Sequence, residues 1–406
     1  MIVQLNRVQT LLALTVFALA SIFLASTMLS GVADAKVQKG PAGLKFYNPP
    51  KKTPKQHGRM IWVRKSTGVV PLASARWTRN VLYTSKTSLG KRTAVSGSIS
   101  VPKGKAPKGG WPIISYGHGT TGIADKCAPS RNTKNGPATG YINYTDAEQN
   151  SWLKAGYAVA RSDYQGLGTP GIHPFLIGKA SGRSVLDIVR AARDLNTKFS
   201  KRFLIAGHSQ GGHAALFAAG DAATWTPELK LRGTVAYAPA SHMRLQADSL
   251  PLLTSPSSLT ALASMIVKGA SVVSNDIDAN ALLSDQALAF YPQTETECLA
   301  RLAQTDNLGG IAPSTLIREG ADTTPLFDLL DEQNPDVTTA APILLAQGEA
   351  DTTTFKFLTD ILNDELLALG DTVDYKLYPG VDHGGVIDAA KADAMSFFQE
   401  RLPTGR

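Results

Sequence analysis

A serine, a carboxylate and a histidine that follow one another along this chain have the types and surroundings needed for nucleophilic acyl transfer. The serine is Ser209, in Gly207-His208-Ser209-Gln210-Gly211. Before it runs Phe203-Leu204-Ile205-Ala206, apolar and short enough for a buried strand. After it comes an Ala/Leu-rich segment, His213 to Ala219, of high helix propensity. Strand, G-x-S-x-G and helix in that order form a nucleophile elbow. The apex residue sits in strained backbone, and the glycines two positions away on either side lack the Cβ that would hold strand and helix apart. A hydroxyl at such an apex stands clear of the sheet, beside backbone N–H groups that can hold a developing oxyanion.

A serine nucleophile needs a base, and the base needs a carboxylate to orient it. On elbow folds the chain order is serine, acid, histidine. Leu344 to Ala346 leads through Gln347-Gly348-Glu349-Ala350 to Asp351, a carboxylate just beyond a strand end. Tyr378-Pro379-Gly380-Val381-Asp382 does the same for His383. Asp351 is therefore assigned as acid and His383 as base, with Glu349 the competing acid and Asp382 pointing elsewhere. His208 and His213, fixed by the elbow and its helix, read as packing or locally bonded residues; His57, His173 and His242 read as surface or loop residues. Another strand candidate, Ile113 to Tyr116, runs into Gly117-His118-Gly119-Thr120-Thr121-Gly122, whose small residues let N–H groups approach a reacting carbonyl. The expected oxyanion donors are the backbone N–H of Gln210 and one around Gly119 or Thr120, with the Thr120 hydroxyl as an addition. A plain glycine turn is the alternative. Asp163, which precedes the serine, is in the wrong order for the acid and reads as a turn-stabilising carboxylate near the pocket wall. No spacing of histidines, cysteines and carboxylates matches a zinc site.

The elements that must position these groups alternate. Met60–Arg64, Ala75–Thr84 and Thr93–Val101 read as strands, the last two with the alternation of an antiparallel sheet edge. Trp111–Tyr116, Tyr157–Arg161, Gly233–Ala238, Pro342–Ala346 and Val373–Tyr378 read as further strands. Helices are expected at Asn143–Ala155, Ser181–Lys198, Thr354–Leu369 and Val386–Arg401. Strand–helix alternation implies an α/β fold, a mostly parallel sheet with helices on both faces and catalytic groups at the carboxyl ends of its strands. Between Pro239 and Ala341 the alternation breaks, and helices at Ser257–Val273 and Pro313–Leu330 make this insertion a cap over the site. The resulting division is a signal peptide at 1–35, an extended basic arm at 36–56, core at 57–239, helical cap at 240–340 and core again at 341–406.

The leader carries Arg7, an apolar run and Ala33-Asp34-Ala35, the pattern of a cleaved secretory signal, with an uncleaved membrane anchor as the alternative. Export makes the chain secreted or periplasmic, where the two cysteines, Cys127 and Cys298, are either a disulfide or two buried thiols. A hydrophobic content of 43% with 18% charged residues excludes a disordered or fibrous chain. The net charge of +8 is uneven: seventeen Lys and Arg and no Asp or Glu lie between Lys36 and Gly110, whereas thirteen acidic residues lie between Ala240 and Ala340. The basic stretch is either a solvated leader or a surface for anionic cell-surface material. It has no nucleic-acid motif.

Tyr116 to Gly122, the Asp163-Tyr164-Gln165-Gly166-Leu167-Gly168 loop, Gly207 to His213 and the Asp351/His383 pair together resemble the secretory lipase family, α/β-hydrolases of the yeast lipase A type with many bacterial relatives. The likeness runs from about Trp62 to Leu402. It implies carboxylic-ester hydrolysis, an acyl-binding pocket under the cap and no cofactor, with small-molecule or lipid esters as partners and transient contact with a lipid interface. Family members can carry a disulfide from just beyond the oxyanion loop to the cap, which suits Cys127 with Cys298. The rival readings are a peptidase or other acyl hydrolase on the same fold, and a catalytically silent surface-binding protein. The sequence leaves acyl length and oligomeric state open.

Overall fold

The computed structural model describes residues 37–195 and 198–405, so the expected signal peptide at 1–35 lies outside the described residues. Among those described, nine strands form one sheet in the order β1-β2-β3-β5-β4-β6-β7-β8-β9. β1 (Met60–Lys65), β2 (Ala75–Lys86) and β3 (Arg92–Pro102) pair antiparallel, and β3 meets β5 (Ala158–Ser162) antiparallel. From β5 onward every pairing is parallel, through β4 (Trp111–Gly117), β6 (Phe199–His208), β7 (Lys230–Tyr237), β8 (Ile343–Gly348) and β9 (Val373–Tyr378).

Alternation along the strands splits the core into two layers. Ile113, Ala158, Phe203 and Ile205 pack with Val185, Ile188 and Val189 of α2 (Gly178–Leu195) and Ala214 and Ala218 of α3 (Gln210–Trp225). Their neighbours Ile114, Val159, Leu204 and Val235 face the other way, onto Trp152 and Leu153 of α1 (Thr139–Ala155) and Phe397 and Phe398 of the helix Lys391–Arg401. Parallel register then brings the strand ends level, pairing Gly117 with Gly207, His208 with Tyr237 and Gly348 with Tyr378. The loops that follow β4, β6, β8 and β9 therefore leave from one rim.

The basic arm is anchored to the sheet. Gly40 N–H donates to Val63 O (2.9 Å) and Val63 N–H to Gln38 O (3.0 Å), which covers part of the β1 edge. Phe46 and Tyr47 are buried with Trp62 and Leu82.

Between β7 and β8 lie several helices with an apolar cluster of their own, including Ala261 and Met265 of α4 (Leu259–Ser271) and Leu326 and Leu330 of α5 (Thr324–Asp331). Phe175 and Leu176 join that cluster from the loop before α2. The expected helix over Pro313–Leu330 is not continuous. A 3-10 turn at Pro313–Thr315 gives way to extended chain, because Ile317 forms a bridge with Leu283 and Arg318 N–H donates to Leu282 O at 2.8 Å. Gly320, at φ +72°, then turns the chain, and the Asp322 carboxylate accepts the Thr324 N–H (2.9 Å) where α5 begins. Tertiary pairing overrode helical periodicity here.

Cys127 and Cys298 form a disulfide, their Cα atoms 5.5 Å apart and 171 positions distant in sequence. Beside it Gly122 bridges to Cys298, and Leu299 N–H donates to Thr121 O at 3.0 Å. A closed loop of this size removes much of the unfolded chain's freedom, so a Cys127→Ser/Cys298→Ser variant should lose about 2–5 kcal/mol of stability. Denaturant unfolding of both proteins measures the difference; equal midpoints and slopes would contradict it.

Candidate active site

Ser209 occupies the turn between β6 and α3 at φ 59° and ψ −119°, left-handed backbone that a non-glycine residue holds only under strain. Its N–H is pinned to Tyr237 O at 2.9 Å. The flanking glycines are sterically required. A Cβ on Gly207 would lie 1.9 Å from Gly211 O, and one on Gly211 would lie 1.9 Å from Gly117 O. The serine turn thus packs backbone against backbone with the end of β4, which brings the Gly117–Gly122 loop to the N-terminus of α3.

Asp351 and His383 meet at the same rim, His383 Nδ1–H donating to Asp351 Oδ2 at 2.7 Å. The carboxylate, 4% exposed, takes four further bonds: Thr353 N–H (2.8 Å), Thr354 N–H (2.9 Å), the Thr354 hydroxyl (2.8 Å) and Gln347 Nε2 (3.2 Å). Burial alone would raise its pKa; these bonds, His383 foremost, hold it below the usual carboxylate value. Glu349 is exposed, and Asp382 accepts the Gly385 N–H at 2.7 Å, so neither competes for the imidazole. With Nδ1 committed to Asp351, Nε2 is the ring nitrogen left for proton exchange. The Ser209 hydroxyl makes no hydrogen bond among the described residues, a resting geometry that commonly tightens when substrate binds.

Of the candidate oxyanion donors, the Gly119 N–H is already taken by Tyr141 Oη at 2.5 Å. The N–H groups of Thr120 and Gln210 have no partner among the described residues, and both residues line the cavity that Ser209 enters. That cavity measures about 350 Å³. Its floor is Thr120, Ser209 and Gln210; its walls are apolar side chains of the inserted helices, Leu262 and Ile266 of α4 and Leu326 and Phe327 of α5 among them. Asp163, by contrast, is buried behind the rim, accepting bonds from Ser96 Oγ (2.7 Å), Ser130 N–H (2.9 Å) and the Ser130 hydroxyl. Among the described residues no histidine, cysteine or carboxylate group could hold a metal ion.

Three imidazoles surround the serine. His208 Nε2–H donates to the backbone O of His383 at 2.8 Å, its ring 4.6 Å from the His383 ring. His213 Nε2–H donates to Gln333 O at 2.9 Å, a packing role as its position implied. His173, read from sequence as a surface or loop residue, lies in the loop before α2 but is fully buried. Gln210 Nε2 donates to its Nε2 at 2.7 Å, and its Nδ1–H donates to Gln165 O at 2.8 Å. His57 and His242 are half-buried, bonded to Asp187 (2.6 Å) and Glu365 (3.1 Å). Sequence reasoning also passed over Thr354, Gln347 and Tyr141. Only Thr354 left a local signal, a threonine three residues after an aspartate in a Thr-rich turn.

The family model described as secretory lipase matches residues 138–251. A comparison with curated proteins finds no match. Similar solved structures include Candida antarctica lipase A in its closed state, 18% identical at TM-score 0.71, with 85% of this chain and 82% of that one covered. The rice cell wall degrading esterase LipA of Xanthomonas oryzae, in a ligand-bound form, is 17% identical at TM-score 0.67, covering 86% and 98%. A putative hydrolase of Legionella pneumophila is 19% identical at 0.69, covering 85% and 99%. The structures establish the α/β-hydrolase fold. The family match, which takes in Ser209 and its flanking glycines, agrees with the resemblance drawn from the motifs.

Burial keeps the three imidazoles neutral, lowering His173 and His213 to about 4 and His208 to about 3. Unfolded histidines protonate near 6.5, so below that pH the unfolded state binds more protons and stability falls with pH, by up to about 1.4 kcal/mol per unit for each lagging ring. Urea midpoints should drop steeply from pH 7 to 4.5, and His213→Gln should flatten that slope. An unchanged slope would show that His213 ionises within the fold.

Proposed function

We propose, taking the secretory lipase match as the premise, that this chain is an exported serine hydrolase that cleaves carboxylic esters with an apolar acyl group. The observation that carries the reading is the Asp351–His383 contact at the same sheet rim as a strained serine that lines an apolar cavity. Export rests on the leader sequence and on the family's secretory description. Among the described residues no helix is long and apolar enough to cross a membrane.

In this reading Ser209 Oγ attacks the ester carbonyl and passes its proton to His383 Nε2. The imidazolium is stabilised by Asp351, which stays ionised because its five bonds favour the charged form. The carbonyl oxygen, now negative, is held by the N–H groups of Gln210 and Thr120; Gly119, whose N–H is occupied, drops out of that role. His383 returns the proton to the departing alcohol, an acyl-serine remains, and water activated by His383 releases the acid. His208 holds the base from behind by its bond to the His383 carbonyl, and Thr354 ties Asp351 to the base through both side chains (2.8 and 3.2 Å).

Cavity size sets the acyl group. A volume of about 350 Å³ holds roughly a dozen water-sized units, enough for a medium-length alkyl chain. Each methylene buried contributes about 0.8 kcal/mol. On p-nitrophenyl esters kcat/KM should therefore rise about tenfold or more from acetate to octanoate, with peptide anilides barely cleaved. A flat or falling profile, or preference for the anilides, would overturn the substrate assignment.

Replacing Ser209 or His383 by alanine should lower turnover on the best ester by about 10⁵–10⁶, and Asp351→Asn by about 10⁴. Glu349→Gln should leave turnover within about threefold. Steady-state assays on protein shown to be folded by circular dichroism read these values. An active Ser209→Ala, or a Glu349→Gln as damaged as Asp351→Asn, would remove the mechanism.

A further inference from the structure

A second cavity, of about 620 Å³, lies at the other end of β6 from the serine and shares no lining residue with the first. It is formed by the loop Lys55–Arg59 ahead of β1, by Lys86 at the end of β2, by Arg190, Arg193 and Asp194 on α2, and by Glu228. Five permanent cations thus face two carboxylates. The two carboxylates are already engaged: Glu228 forks onto Arg190 at 2.6 and 2.7 Å, and Asp194 takes Arg59 Nε at 3.0 Å and the Met60 N–H at 2.9 Å. Lys55 and Lys86 have no carboxylate partner among the described residues, Lys86 lying only against the Trp225 ring at 5.7 Å. Arg193 donates to Phe199 O at 2.5 Å and forms no ion pair within 4 Å among the described residues, though Glu228 and Asp194 attract it at longer range. Behind them His57 lies between Asp187 at 2.6 Å, the Trp225 ring at 4.0 Å and the Arg190 guanidinium at 3.0 Å.

We infer that this cleft binds a phosphate-type oxyanion. Convergent cations on a walled concavity repel one another, and an anionic guest with several acceptor oxygens relieves that repulsion while satisfying the unused N–H donors of Arg59 and Arg193 and the ammonium groups of Lys55 and Lys86. The volume admits a phosphate together with the polar group that bears it. Three of the five cations come from the acid-free stretch Lys36–Gly110, which gives part of that stretch a purpose other than solvation. The site requires no hydrolysis, so it stands or falls apart from the enzymatic reading.

The test compares the full chain with two variants of equal charge change: Lys55→Glu/Lys86→Glu in the cleft and Lys105→Glu/Lys108→Glu on the loop before β4. Circular dichroism and thermal unfolding check that all three proteins are folded. Calorimetric titration with inorganic pyrophosphate reads the free anion, and co-sedimentation with phosphatidylglycerol/phosphatidylcholine vesicles reads a lipid headgroup. The cleft pair should weaken binding about tenfold or more, and the loop pair by no more than about threefold. Cleft-specific loss in only one arm supports the site and identifies which source it takes. Equal losses in the two variants, or no binding of either probe by the parent chain, overturns the proposal.

Discussion

No side chain fits between the serine turn and the strand beside it. Gly207, Gly211 and Gly117 bring three backbone segments into contact, and a single methyl on either elbow glycine would overlap a carbonyl oxygen. Much of the rim's geometry follows from that contact. It accompanies the positive φ of Ser209, sets the N-terminus of α3 beside the end of β4, and fixes where the loop after β4 can run. Parallel pairing of β4, β6, β7, β8 and β9 then carries the remaining groups to the same level. The strain is local, and the packed sheet and helices around it hold the turn in place.

Charge at the rim is kept in one place. Asp351 is held ionised by a ring of donors although it is nearly inaccessible, whereas His208, His213 and His173 are held neutral by burial. Burial acts on all four groups against the charged form; what separates them is the number of hydrogen bonds that favour the ion. The neutral rings then act as fixed donors and acceptors. His208 supports the backbone of His383, and His173 fixes the Gln210 side chain by accepting from its amide. A polar network of this kind orients groups without adding competing charges near the reacting carbonyl.

Whatever depended on neighbours in the chain was legible from the sequence. The apolar run, the two glycines and the helix around Ser209 follow one another within a few residues, and strand alternation announced the antiparallel edge and the parallel core. Asp351 and Glu349 could not be separated that way, since both follow the same strand. Only the turn that brings Thr353 and Thr354 back onto Asp351 distinguishes them. The loop placement of His173 was legible but its burial was not, because its partner, Gln210, is distant in sequence and nothing local marks a buried imidazole. Gly119 and Thr120 looked equivalent until Tyr141, on α1, was seen to occupy one of the two N–H groups. The Pro313–Leu330 segment has a helical pattern, yet its pairing with Leu283 is a long-range event that periodicity cannot register.

The tie at Cys298 joins the inserted helices to the loop that carries Thr120: the disulfide to Cys127, the bridge to Gly122 and the Leu299–Thr121 bond lie side by side. Such a rivet sets the pivot of any swing those helices make. The opposite wall, where Leu250, Pro251 and Leu253 line the cavity, has no such covalent tie among the described residues. The inserted helices are thereby held to the loop that carries Thr120 at one edge, by a covalent bond and two backbone contacts.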